Sequence, residues 1–370
     1  MGELAHIVGR NTHERSPRGR HLLDQSLRDE ADNLMLLCAQ QHDEIDAEAA
    51  LDVFTVDRLR RLKQEHEDRI RHVTGLSPDR ATTVVRMLGP VHGQAVELSR
   101  QAAADAVVAR YRFPLFLESY SRHGVEIDLQ HIPGESNVQG ADSMQAASAS
   151  RSYYRQAVRV IDDVINHQLR PGIERGSVQH VSVFGFARLP LLVYLGTRLD
   201  DTVPTDVYQR HRCDQSWVWP AESISGAEFA VRQVQAQCAR DEAVVIVNVS
   251  GAISQHEVPA DLVSLRRYVI SPASADTCPD ILHQYGSLRL FEETWRGFLA
   301  RLEVEAKDLR RLHILPAVPL SAALVLGQAH HPQVHPQLVI YERLAGNYVP
   351  TLEVGSDTRR LPRPASRTAY

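Results

Sequence analysis

The chain changes its hydrophobic rhythm twice. Residues 1–72 are polar, charged and rich in histidine, with one compact apolar stretch at Leu34–Cys38. Within them Val56–Ile70 places Leu59, Leu62 and Ile70 among charged residues, the spacing of an exposed amphipathic helix. The turn-rich run Thr74-Gly75-Leu76-Ser77-Pro78 predicts a domain boundary. Beyond it Ala81–Leu88 reads as a strand, Ala95–Arg110 as a helix and His131–Gly140 as a loop. A long helix is predicted over Ser143–Leu169, closed by Arg170-Pro171-Gly172. From Gln179 onward short β-branched runs take over: His180–Phe186, Thr205–Gln209, Ala243–Ser250, Arg267–Ser271, Leu312–Leu315 and Gln337–Tyr341. Helices are predicted between them at Ala227–Arg240 and Leu288–Leu309. Near-continuous apolar strands alternating with helices predict parallel sheets covered on both faces.

An internal repeat sharpens this. Val181–Arg210 (VSVFGFARLPLLVYLGTRLDDTVPTDVYQR) and Leu312–Arg343 (LHILPAVPLSAALVLGQAHHPQVHPQLVIYER) both run strand, Ala-x(-x)-Pro turn, apolar helix ending in Leu-Gly, then a strand with Tyr near its end. Gly196 corresponds to Gly327 and Tyr208 to Tyr341. Two copies of one α/β unit predict a pseudo-symmetric pair of halves, and ligands in such sheets sit at the carboxyl ends of the strands.

Composition narrows the function classes. The 370 residues carry 41 Lys and Arg against 46 Asp and Glu, a net charge of −5, which excludes a constitutive charge-driven nucleic-acid binder. Only Lys63 and Lys307 are lysines, a skew that fits a GC-rich bacterial genome better than a site. The longest apolar runs, Leu189–Leu195 and Ala317–Leu326, fall short of the ~20 residues of a membrane span. No secretory signal opens the chain, and Cys38, Cys213, Cys238 and Cys278 are too dispersed for a disulfide framework, so a bacterial cytoplasmic location is expected. Cys213, Cys238 and Cys278 are expected as small buried residues.

The first segment reads GELAHIVG at Gly2–Gly9, SPRG at Ser16–Gly19, DNLMLLCAQQHDEID at Asp32–Asp46 and LRRLKQEHEDRI at Leu59–Ile70. This pattern resembles an HNH nuclease. The resemblance implies a ββα-metal fold with His6 as general base, Asn33 bracing the loop that aims it, and His42 as ligand of a catalytic Mg²⁺. An imidazole accepting a proton from water and one ion stabilising the leaving oxygen suit phosphodiester hydrolysis. It also implies a structural Zn²⁺ held by a CxxC and a Cys-x2-His. Only Cys38 has a counterpart here, His42 lies four positions on rather than three, and Ala5 precedes His6 where some HNH enzymes carry an Asp ligand. Against that resemblance the HNH unit is expected either to lack about its first 50 residues or to have lost its zinc half-site. Because segment 1–72 is itself acidic, DNA contact must be local, and Arg10, Arg15, Arg18 and Arg20 are the candidates. Lys63, His66 and Glu67 read as an exposed helical face.

HVSVFGFARLPLLVYLG, VYQRHRCDQSWVW and the stretch from His313-Ile314-Leu315-Pro316 through Gly327 to IYER resemble a SAVED domain, a cyclic-oligonucleotide sensor similar to two fused CARF-like halves. HNH followed by SAVED is similar to the HNH–SAVED effectors of CBASS anti-phage systems. The implied architecture is α+β with α/β: an HNH unit at 1–72, a SAVED domain of two Rossmannoid halves at 73–356, and a basic tail at 357–370, with Arg359, Arg360, Arg363 and Arg367, expected to be disordered.

The implied function is allosteric. A cyclic dinucleotide such as a cyclic GMP–AMP binds the sensor, self-association from a dimer to a larger homo-oligomer follows, and double-stranded DNA is degraded. The alternative is a sensing, oligomerising module with an inert HNH remnant. Trp217 and Trp219 are candidates to stack bases, core packing being the competing reading. Arg188 and Pro190 in one strand-to-helix turn, and Pro316, Pro319 and Ser321 in its counterpart, are candidates to line the ligand. Tyr341, Ser250-Gly251 and Ser271-Pro272 at other strand ends complete the expected pocket, although the Pro and Gly positions equally suit turns.

Overall fold

The computed structural model describes residues 2–74, 80–115, 124–135, 144–199, 202–220, 226–235, 241–274, 276–344 and 346–355. The basic tail and Cys238 lie outside them, as do residues 136–140 of the loop expected at 131–140. The chain divides into two compact units, Met1–Ser77 and Pro78–Tyr370.

In the first unit β1 (Gly2–His6) pairs antiparallel with β2 (Leu34–Cys38), His6 opposite Leu34 and Gly2 opposite Cys38. α1 (Ala39–Asp46) follows β2 directly, and α2 (Val56–Thr74) closes the unit. Its apolar core is small, Ala5, Ile7, Ile45 and Leu59, while Leu62 and Ile70 of α2 remain exposed as their spacing predicts. The long connection between β1 and β2 has too few apolar residues to pack as a core, and a guanidinium organises it instead. Arg28, buried, donates to the carbonyls of Gly9, Asn11, Gly19, His21 and Leu23. Five backbone acceptors satisfy a charge that would otherwise be expelled to water.

The second unit holds two sheets. In the first, β4 (Phe113–Leu115), β3 (Ala81–Leu88), β6 (Val181–Phe186) and β7 (Thr205–Tyr208) lie in that order, with β5 (Val125–Asp128) also pairing β3, all parallel. Its helices are α3 (Arg100–Ala109), α4 (Met144–Val164), α5 (Arg170–Glu174) and α6 (Leu189–Leu199). Arg170-Pro171-Gly172 does not close the long helix. α4 passes through one π-helical turn at Ile165–Leu169 into α5, where Pro171 occupies the first turn and needs no amide donor.

The second sheet has the order β13 (Asn347–Val354), β12 (Gln337–Leu344), β11 (Arg311–Ala317), β9 (Glu242–Asn248), β10 (Arg266–Pro272), β8 (Phe229–Gln235). Its four inner strands are parallel and its two edge strands antiparallel. α7 (Tyr285–Glu305) packs against β8, and α8 (Leu320–Gln328) packs against α6 and α7 and reaches β6 and β7 of the first sheet. β8 corrects the helix expected over Ala227–Arg240. An edge strand buries little, so its period-2 signal is weak, and pairing with β10 decides the conformation. β13, not among the expected strands, carries a weak signal for a similar reason: it is an edge strand with Pro350 placed opposite Tyr341 where the register shifts. Cys213 and Cys278 are exposed rather than buried.

The two sheets meet through α6 and α8, which cross at the glycines the repeat aligned. A Cβ on Gly327 would lie 1.9 Å from the Val193 carbonyl oxygen, and one on Gly196 would lie 2.1 Å from that of Leu324. Each position therefore admits only hydrogen, and the core is continuous across both halves.

Gly196→Ala and Gly327→Ala each destabilise by at least about 1–3 kcal/mol in chemical denaturation. Gly297→Ala, on the exposed face of α7 with open space at its Cβ, instead stabilises by up to about 1 kcal/mol. His330 is buried with Nε2 donating to the Pro336 carbonyl and no partner at Nδ1, and burial lowers its pKa to about 4. An unfolded histidine titrates near 6.5, so below that pH the unfolded state takes up a proton the folded state refuses. Stability should fall as pH drops from about 6.5 towards 4, and melting curves of His330→Gln should fall less steeply across that window.

Candidate functional site

In the first unit the ladder of β1 and β2 ends at His6, and the chain beyond it is held by Asn33. The buried Asn33 amide donates from Nδ2 to the carbonyls of Val8 and Arg28, and its Oδ1 accepts from the Val8 amide at 2.9 Å. The Asn33 carbonyl accepts from the Ile7 amide. Asn33 thus continues the strand pairing with its side chain and fixes the backbone one and two residues after His6. The His6 ring, 26% exposed, lies with Nε2 2.9 Å from Asp29 Oδ1, and Asp29 Oδ2 is 3.3 Å from Arg10 Nε. The hydrogen bond from His6 holds the Asp29 carboxyl below its usual range. No sequence signal singled out Asp29, which is 23 positions from His6 in a charged loop.

His42, on α1, has Nδ1 3.0 Å from Glu3 Oε2 and Nε2 3.5 Å from Asp46 Oδ2. Asp46 is in turn paired with Arg18. Both ring nitrogens of His42 therefore already face carboxylates. Cys38 is exposed, and among the described residues no group of three or more His, Cys, Asp or Glu is arranged to hold a metal ion. Cys38 alone does not make a closed zinc site, and each ring nitrogen of His42 is directed at a carboxylate of the chain.

The four candidate DNA-contacting arginines separate. Arg18 is a correction to the sequence expectation: it adopts φ +54° and turns inward, donating to the carbonyls of Ile7 and Ile45 at 2.6 Å. Its guanidinium is spent bridging β1, α1 and Asp46, so it does not face solvent. Arg10 and Arg20 are exposed and paired with Asp29 and Glu14, and Arg15 is exposed. Lys63 pairs with Glu67 on α2, facing a cleft of about 740 Å³ that Asn33 and Asp32 also line.

In the second unit the carboxyl end of β6 leads straight to Arg188, which is 2% exposed. Its Nη2 lies 2.5 Å from Glu135 Oε1 and its Nη1 2.9 Å from Glu342 Oε1, so a first-half arginine meets a carboxylate on β12 of the second half. Tyr154 of α4 donates its hydroxyl to Glu342. Burial alone would lower the Arg188 pKa, but Glu342 and Tyr154 outweigh it and the guanidinium is held charged. Burial, then Glu342, raises that of Tyr154. Glu135 also accepts from the backbone amides of His92 and Gly93.

The remaining sequence candidates fall into a buried and an accessible set. Trp217 and Trp219 are 4% and 6% exposed. Trp217 meets Phe184 edge-on, Phe184 stacks on Tyr208, and Trp219 donates Nε1 to the Val207 carbonyl while its ring meets His211 and Tyr285. These contacts correct the base-stacking expectation in favour of core packing: the indole faces are already covered. Pro190, Pro316 and Pro319 are buried at helix starts and strand ends, and Tyr341 is buried with its hydroxyl 3.1 Å from His313 Nδ1. The Ser321 amide, in the first turn of α8, donates to Gln209 Oε1 across the halves. Ser250, Gly251 and Pro272 are partly exposed where β9 and β10 end, and Ser271 accepts from Arg232. A further cavity of about 590 Å³, lined by Arg86, Leu88, Ser99, Arg100, Glu126 and Gln130, opens at the carboxyl ends of β3 and β5.

Similar solved structures include the Acinetobacter baumannii Cap4 SAVED/CARF-domain containing receptor with the cyclic trinucleotide 2′3′3′-cAAA, at 14% identity over 85% of this chain and 61% of that one, TM-score 0.43. The same receptor with 3′3′3′-cAAA matches at 17% identity over 63% of this chain and 49% of that one, TM-score 0.41. The Moraxella osloensis Cap4 receptor matches at 19% identity over 64% of this chain and 48% of that one, TM-score 0.40. The chain thus spans about half to three-fifths of the length of these receptors. Comparison with curated proteins finds no match. Residues 161–354, more than half of the chain, match the SMODS-associated and fused to various effectors sensor domain, SAVED. The chain belongs to the SAVED sensor-domain family.

Proposed function

We propose that this chain is an anti-phage CBASS effector in which a cyclic oligonucleotide binds the SAVED domain and switches on DNA cleavage by the N-terminal unit. The observation that carries the reading is the sensor-domain match over 161–354, laid on two α/β halves whose strand ends converge on one buried arginine. Ligands of open α/β sheets bind at such strand ends. A cyclic dinucleotide such as a cyclic GMP–AMP offers phosphates to Arg188 and to helix starts, and bases to the accessible strand ends around Ser250, Gly251 and Pro272.

Support for the nuclease output is the ββα order of β1, β2 and α1, with His6 at a strand end fixed by Asn33. With Nε2–H directed at Asp29, His6 keeps a lone pair on Nδ1 to accept a proton from water. Arg10, beside Asp29, and Arg15 and Arg20 elsewhere on the same unit are exposed to meet phosphates. Their surface pairings, with Asp29 for Arg10 and Glu14 for Arg20, are weak enough to exchange. A second reading, a sensing and oligomerising module with an inert N-terminal unit, is favoured by His42, whose ring nitrogens both face carboxylates of the chain itself.

Two measurements test the proposal. Calorimetry of the full chain against a panel of cyclic di- and trinucleotides should show binding of at least one, with a larger assembly in light scattering on its addition. Failure of all to bind sinks the sensor. Plasmid degradation with Mg²⁺ should require that nucleotide, and His6→Ala should slow it by about 10²–10⁴-fold. Binding and assembly without degradation would establish the inert reading instead.

A further inference from the structure

Glu135 sits where an anion site has been built around it. Its Oε1 accepts from Arg188 Nε at 2.9 Å and Nη2 at 2.5 Å, and from the His92 amide at 3.1 Å. Its Oε2 accepts from the Gly93 amide at 3.3 Å. His92 and Gly93 adopt consecutive positive φ angles, +52° and +75°, and both amides point at the same carboxylate. Successive amides turned to one side form a concave nest that suits any oxyanion. A guanidinium fork matches phosphate and carboxylate equally well.

The cradle stands at the carboxyl ends of β3 and β6, the position at which open α/β sheets take ligands. The carboxylate filling it belongs to the segment after β5 and is 5% exposed. None of the donors is contributed by a group that needs a carboxylate rather than a phosphodiester.

We propose that Glu135 is a built-in stand-in for phosphate: the cradle of Arg188, His92 and Gly93 receives one phosphodiester of the activating nucleotide, and Glu135 competes for it in the resting chain. This rests on the nucleotide-sensing reading given above. The exchange balances in charge when the released Glu135 carboxylate swings out into water: a phosphodiester and a carboxylate each carry one negative charge, and Arg188 keeps Glu342 as its second partner throughout. Competition lowers the observed affinity by the fraction of time Glu135 fills the cradle, which sets the nucleotide concentration at which the effector fires.

The test uses the full chain as wild type, Glu135→Gln, Glu135→Ala and Glu135→Ala/Arg188→Ala. Thermal melting is followed in increasing inorganic phosphate, and calorimetry is run with 3′3′-cyclic GMP–AMP and 3′3′3′-cyclic tri-AMP. Phosphate should raise the melting temperature of Glu135→Ala more than that of wild type, and the double variant should lose the difference. The nucleotide that binds wild type should bind Glu135→Gln about tenfold more tightly. Equal phosphate response in wild type and Glu135→Ala overturns the cradle. Unchanged or weaker nucleotide binding by Glu135→Gln, with wild-type binding intact, overturns the stand-in role and leaves the sensor reading in place. Phosphate rescue of Glu135→Ala with neither nucleotide binding any variant overturns the assignment of the cradle to a nucleotide.

Discussion

The approach of two helix backbones at Gly196 and Gly327 is the constraint from which the second unit follows. Each glycine faces a carbonyl oxygen of the other helix at a distance no side chain tolerates. α6 and α8 can therefore lie closer than helices separated by side chains, and both are apolar around most of their circumference because sheets and helices cover them on every side. Their first turns become neighbours of the opposite half. Gln209, just past β7, reaches the Ser321 amide at the start of α8, and Arg188, just before α6, reaches Glu342 on β12. A larger residue at either glycine would separate the helices and with them the two halves of the unit.

The buried cluster around Arg188 is electrostatically unbalanced in an informative way. One guanidinium answers two carboxylates, and the second of these leans on a tyrosine hydroxyl. Buried ion pairs seldom add net stability, because desolvation offsets most of the Coulombic gain. What the cluster does supply is connection: Glu135 follows β5, Tyr154 lies on α4, Arg188 precedes α6 and Glu342 lies on β12. Four segments distant in sequence are tied at one point, so a ligand that exchanges with any member alters the partners of the rest. Coupling between a binding site and a change of state needs an element of this kind, with two arrangements that a ligand can choose between.

The first unit solves a different problem with the same residue type. It has few apolar residues to bury, and Arg28 and Arg18 take the place of a core by collecting carbonyls from segments that share no regular pairing. Each such carbonyl would otherwise need water or a strand partner. Asn33 extends this logic to the turn after His6. The orientation of the candidate base therefore depends on polar side chains that are themselves fixed, as a site held by hydrogen bonds rather than by packing must be.

Much of the second unit was legible because its signals are local. Six strand segments from His180 to Tyr341 lie where β-branched runs place them, and the repeat located Gly196 and Gly327 before their contact was visible. The edge strands β8 and β13 were not legible, since an edge strand is specified by the neighbour it pairs with and carries little apolar periodicity of its own. The candidate site divides along the same line. Arg188 was found from its place in a strand-to-helix turn, yet its partners Glu135 and Glu342 lie 53 and 154 positions away and nothing local marks them. Trp217 and Trp219 show the converse failure: a flat, apolar ring is selected both by a base and by a core, and only the covering of its faces by Phe184, His211 and Tyr285 separates the two. Residue type states which chemistry a side chain can perform; which chemistry it does perform depends on whether the fold has already supplied its partner. By that criterion the chemistry of Arg188 is already taken up by Glu135 and Glu342, and an external anion reaches it only by displacing one of them.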